Sequence, residues 1–166
     1  MITVAFIVFV GFLASIGWWW FIARNRPSFP PLVIDNDDPL MVDARRKAQD
    51  STPRLMQLFE GAREATRVKV PFVSSSGETE HIWTELLRVD GQTIDVRYIT
   101  PPVTHSGKLE RLHTHPITDI EDWVITKDPD HYVGGFSMLV MFRLGREKWG
   151  ELPPELAAEE SKYREA

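Results

Sequence analysis

The sequence predicts an α+β fold: a small domain with an antiparallel sheet packed by helices, carried behind a single N-terminal transmembrane helix. Three observations predict it. Residues 2–23 contain no charge. The spacing of apolar residues changes from near four before Ala65 to two after it, which marks a passage from helix to strand. Asp90-Gly91, between two alternating runs, is the strongest short-range hairpin signal a sequence offers.

Residues 2–23, at about 1.5 Å per residue, make a helix of roughly 33 Å, enough for a hydrocarbon core of about 30 Å. A cleaved signal peptide would need a basic start and small residues at its end. Here no Lys or Arg precedes the run, and Trp18, Trp19, Trp20 and Phe21 stand where cleavage would occur. Indoles at one end of the span fit an interfacial belt. Arg24 and Arg26 flank only the C-terminal end, so the positive-inside rule puts the remainder of the chain in the cytoplasm, behind a single-pass anchor in the inner (plasma) membrane. Residues 24–38 hold three prolines and read as a semi-extended linker.

The domain proper is expected over 39–150. Asp38-Pro39 supplies an N-cap and a first-turn proline, and Leu40, Ala44 and Ala48 recur every four residues. Thr52-Pro53 repeats the start signal before Leu55, Leu58, Phe59 and Ala62, so two helical pieces break near Pro53 and end around Gly61. Val68, Val70 and Phe72 alternate with Arg67, Lys69 and Pro71, predicting a half-buried strand over 66–73. Strands follow over 79–89 and 93–99, and Pro101-Pro102 opens a looser stretch. A fourth strand is expected between 118 and 126. Residues 135–148 fit either a strand or a helix by period, with helix preferred. The end, 151–166, has five acids against Lys162 and Arg164, and reads as an acidic tail, either a solvated helix or frayed.

In order along the chain stand Val68-Lys69-Val70-Pro71-Phe72, Glu80-His81-Ile82-Trp83, Asp122-Trp123 and Gly134-Gly135-Phe136-Ser137. Over roughly 39–145 these resemble the YegJ-like family of bacterial domains of unknown function. The resemblance implies a bacterial source and a small α+β domain. It carries no established activity and transfers no catalytic residue. Thr100-Pro101-Pro102 stands where the family pattern has Asn-x-Pro.

Composition narrows the chemistry. With no cysteine, disulfides, thiolate zinc ligands and thiol nucleophiles are excluded. A net charge of −5, with no basic stripe beyond Arg45-Arg46-Lys47, argues against nucleic acid. His81 and Trp83 share one face of a strand, as a recognition patch or as a histidine packed on a core indole. Asp122 and Trp123 could join them, or Asp122 could serve a turn while Trp123 fills the core. Gly134-Gly135 could offer backbone N–H groups to an anion, but a turn requiring positive φ is the stronger reading. His113-Thr114-His115, with His105 or Asp119, is a weak metal-like spacing. Glu121 and Asp122 face opposite sides of a strand and form no dyad. Ser137 lacks the surrounding glycines of a nucleophile elbow.

These readings lead to a membrane-anchored, non-catalytic interaction or accessory module with a protein partner and no cofactor. The competing expectation is a small enzyme or ligand-binding domain with its site at His81, Trp83 and Asp122.

Overall fold

In the computed structural model the described residues are 29–35, 37–106 and 108–164. The expected membrane span, 2–23, lies outside them, and no helix among the described residues is long and apolar enough to cross a membrane. From Leu32 onward the described residues form one compact unit.

Helix α1 (Pro39–Asp50) starts where Asp38 Oδ1 accepts from the Leu40 N–H at 2.8 Å, with Pro39 at the first helical position. That satisfies one of the donors a helix start leaves unpaired. Met41, Ala44 and Ala48 are buried, while Asp43, Arg46, Lys47 and Asp50 pair on the solvent side. Such exposed pairs contribute little to stability. The chain breaks at Ser51 and resumes as α2 (Thr52–Phe59), which buries Leu55 and Phe59.

A 3-10 turn at Arg63–Ala65 leads into the sheet. Its strands are β1 (Thr66–Val73), β2 (Thr79–Asp90), β3 (Thr93–Tyr98), β4 (Leu112–Pro116), β5 (Asp122–Asp128), β6 (His131–Gly134) and β7 (Tyr163–Arg164). They lie in the order β4-β3-β2-β1-β5-β6-β7. Every pairing is antiparallel except β6 with β7. The β2–β3 hairpin turns at Asp90-Gly91, where Gly91 has φ 60°.

Alternation sorts the side chains into two faces. Val68, Val70, Phe72, Ile82, Leu86, Ile94, Val96, Tyr98, Trp123 and Ile125 meet Ala48, Leu55 and Phe59 in one core. A fully buried aliphatic or aromatic side chain of this kind is worth about 1.5–3 kcal/mol. The opposite face carries Arg67, Lys69 and Pro71 on β1 and His81, Trp83 and Glu85 on β2, none of them fully buried. Strand β5 begins opposite Lys69 and runs only to Thr66 along β1. Beyond it the chain turns away through Glu121, whose N–H still reaches the Lys69 carbonyl at 2.9 Å.

Helix α3 (Phe136–Trp149) leaves β6 through Gly134 and Gly135 and packs against α1. Helix α4 (Pro154–Glu160) follows.

Four expectations are corrected. The stretch after Pro102, read as loose, contains β4. Residues 117–119 form a 3-10 turn, so the strand expected from 118 begins at Asp122. His131–Gly134 is a strand where no element is expected from the sequence. The acidic end is not merely solvated. Leu152 is buried, and Tyr163 pairs beside Tyr132, stacks edge-on against Phe142 and lies over Gly135.

Candidate functional site

Asp122 and its neighbours form a sealed junction. Asp122 is 1% exposed. Its Oδ1 accepts from the N–H groups of Trp123 (2.8 Å) and Phe136 (3.1 Å). Its Oδ2 accepts from the Ser137 N–H (2.7 Å) and hydroxyl (2.5 Å). The carboxyl therefore caps α3 from another strand, supplying acceptors that Gly135, at the N-cap position, has no side chain to provide. Burial pushes its pKa up, and the four hydrogen bonds oppose that. Trp123 is fully buried on the core face, and its indole N–H donates to Ser51 Oγ (3.0 Å) and the Ala48 carbonyl (3.2 Å). A Cβ on Gly134 (φ 89°) would come within 2.3 Å of the Trp123 carbonyl oxygen, and one on Gly135 (φ 76°) within 2.3 Å of the Tyr163 ring. These two glycines permit close approach of backbone and ring.

His81 and Trp83 stand on the other face, as the period of two implies. Trp83 is directly opposite Lys69, and Lys69 directly opposite Asp122, so the three form one row across β2, β1 and β5. Asp122 is buried, whereas Trp83 and Lys69 are half-buried. His81 Nδ1 lies 2.5 Å from Glu121 Oε2, and Arg45 Nε lies 3.6 Å from Glu121 Oε1. Glu121 thus carries two partners.

Lys69 makes no hydrogen bond or ion pair among the described residues and is not sealed from solvent. Burial of its ammonium lowers its pKa, a shift that the fields of Glu121 and Asp122 oppose and that of Arg45 adds to. The Trp83 indole is likewise without a ring or hydrogen-bond partner there, and the second imidazole nitrogen of His81 is open.

The histidines of β4 point to the core face together. His113 stacks on Tyr98 at 4.4 Å and 9°, and its Nε2 lies 2.6 Å from the Glu110 carbonyl. His115 Nε2 meets the Tyr98 hydroxyl at 3.1 Å, and its Nδ1 lies 3.4 Å from Asp119. Burial raises the Tyr98 pKa to about 12. His105 packs edge-on against Phe72. No three His, Asp or Glu side chains among the described residues converge as a metal site.

Of the residues singled out from sequence, then, Asp122, Trp123, Gly134 and Gly135 belong to the interior, and His81 and Trp83 to an open face. Sequence reasoning missed Lys69, Glu121 and Arg45 as their companions. Lys69 was legible as facing away from Val68 and Val70, but its place opposite Trp83 depends on register. A cleft of about 710 Å³ beside Gly61, Arg63, Ile125 and Lys127 lies elsewhere and includes none of these groups.

No curated protein and no solved structure matched the chain. A family model does match, over residues 38–148, a span that includes β1, β2 and Asp122. The chain belongs to that family, described as an uncharacterized protein conserved in bacteria (DUF2314).

Proposed function

We propose that this is a single-pass protein of the bacterial inner membrane, anchored by residues 2–23, whose cytoplasmic domain, of the narrower YegJ-like kind, binds a protein partner without catalysing a reaction. The observation that carries the reading is the sheet face away from the core: a half-buried indole, Trp83, opposite a half-buried Lys69, neither with a hydrogen-bond or ion-pair partner among the described residues, on paired strands. An indole among polar groups is a composition common in protein contacts. Tethering would raise the local concentration of such a surface near a membrane partner.

A photo-crosslinking phenylalanine analogue at Ile99, which is exposed and follows β3, tests this in cells. A discrete adduct from position 99, absent from Leu156 on α4, is expected. No adduct from position 99 contradicts the reading. Orientation is tested separately with Ser75→Cys, a site in the exposed β1–β2 turn. Labelling by an impermeant maleimide only after the inner membrane is opened agrees with a cytoplasmic domain, and labelling with the outer envelope alone opened contradicts it.

A second reading, a ligand or substrate site on the same face, is favoured by the His81–Glu121 pair, which leaves one imidazole nitrogen free as a base would need. His81→Ala that keeps the adduct but abolishes a cellular phenotype would favour it.

A further inference from the structure

The C-terminal segment, 151–164, is seated on the domain at two points. Leu152 is buried, and its Cδ2 lies 2.9 Å from where a Cβ on Gly145 would stand. Glycine weakens a helix interior, and Gly145, inside α3, leaves the room that Leu152 occupies. The Tyr163 ring fills the corresponding space over Gly135. It also meets Phe142 and Tyr132 edge-on, with ring centroids 5.5 Å and 5.1 Å away. Along β6 the Tyr132 N–H donates to the Lys162 carbonyl at 2.8 Å. Two glycine notches, aromatic walls and a strand edge thus make a groove, and the segment fills it.

Between the two points little holds the segment down. Residues 154–158 are all exposed, and β7 is two residues long. Arg146 and Glu160 form a surface ion pair, a kind that contributes little, and the pair of Lys162 with Glu159 lies within the segment itself. Strand β6 is paired with β5 on its other side, so its place does not depend on β7. The groove residues Tyr132, Gly135, Phe142 and Gly145 lie inside the family match, 38–148, and the segment lies outside it.

We infer that 151–164 is a strap that releases as one unit, and that the groove it uncovers along β6 and α3 binds a peptide segment with a leucine for the Gly145 notch and a tyrosine for the Gly135 notch. Segments with few buried contacts are those that open locally, and a strand edge beside side-chain pockets is a recurring way to hold a peptide. The groove shares no residue with the face of His81, Lys69 and Trp83, so it is a second surface, independent of that one.

Hydrogen exchange in the full chain, in detergent micelles and in urea below the unfolding transition, tests the release. After correction for intrinsic rates, the Tyr132 amide, bonded to the strap, should exchange at least tenfold faster than the Gly135 amide, which is bonded to the Trp123 carbonyl within the domain. Equal rates overturn the inference. Fluorescence anisotropy tests the groove. A labelled peptide of residues 151–166 should bind the full chain carrying Tyr163→Ala at least tenfold more tightly than the parent chain, whose own strap competes, and the peptide carrying Tyr163→Ala should bind neither. Equal binding of the parent peptide to the two chains, or no binding, overturns the inference. If the Tyr163→Ala chain fails to fold, Leu152→Ala takes its place with the same two outcomes, and the exchange comparison in the parent chain stands by itself.

Discussion

Ser137→Ala deletes a single hydroxyl and tests whether Asp122 is a structural cap. Ser137 is 6% exposed and Asp122 1%, so water does not readily replace the lost donor. The bond runs 2.5 Å from the hydroxyl to Oδ2. A hydrogen bond to a charged group contributes about 1.5–3 kcal/mol, and for a domain of this size that lowers the melting temperature by about 5–12 °C. The backbone donors of Trp123, Phe136 and Ser137 keep their acceptors, so the variant still folds.

Asp122→Ala goes further. It strands three buried N–H groups at about 1–3 kcal/mol each, a large part of a total stability of about 5–15 kcal/mol. The pH dependence adds a sign. Burial raises the Asp122 pKa above that of the unfolded chain, so its contribution is fully present below the ordinary Asp value and is lost as pH rises through the folded value. The serine hydroxyl favours the ionised form, so the deficit of Ser137→Ala should be larger at pH 7 than at pH 4. Circular-dichroism melts and urea titrations at both pH values measure it. A deficit below about 0.5 kcal/mol, the range of ordinary surface changes, would refute the capping argument.

Two further outcomes are expected. Gly134→Ala forces a Cβ against the Trp123 carbonyl at positive φ. Left-handed backbone costs about 1–2 kcal/mol and overpacking about 1–3 kcal/mol, so urea unfolding should show a loss of about 2–5 kcal/mol; a neutral result would contradict the packing described. Hydrogen bonds from the Thr104 hydroxyl and N–H and the Val103 N–H hold the Glu80 carboxyl below its usual range. Its contribution is present above the ordinary Glu value and is lost as pH falls through the folded value, so amide exchange at Val103 and Thr104 should accelerate on acidification and should become pH-independent, after correction for intrinsic rates, in Glu80→Gln.

Much of the fold was legible because its signals are local. Pro53 breaks the helices, Val68, Val70 and Phe72 alternate, and Asp90-Gly91 turns the hairpin within the span each pattern occupies. What escaped depends on distant partners. Leu112-His-Thr-His-Pro116 has no apolar alternation of its own; it is a strand because Val96 and Ile94 lie opposite His113 and His115 and Tyr98 engages both rings. Tyr163 has no neighbours in sequence to mark it, and its place is made by Gly135, Phe142 and Tyr132. The candidate site divides the same way. Period two put His81 and Trp83 together, but only register puts Lys69 beside Trp83, and only the turn before β5 brings Glu121 to His81. Asp122 looked available by residue type, and the helix it caps removes it from the surface.

The open face is tested most directly by Trp83→Ala, measured for thermal stability and for the crosslink from position 99. Trp83 lies outside the core and lacks partners among the described residues, so the expected result is a melting temperature within a few degrees of the parent chain and loss of the adduct. A variant that melts like one with a deleted core aromatic, about 3–5 kcal/mol less stable, or one that folds and keeps the adduct, would contradict the assignment of this face to partner binding.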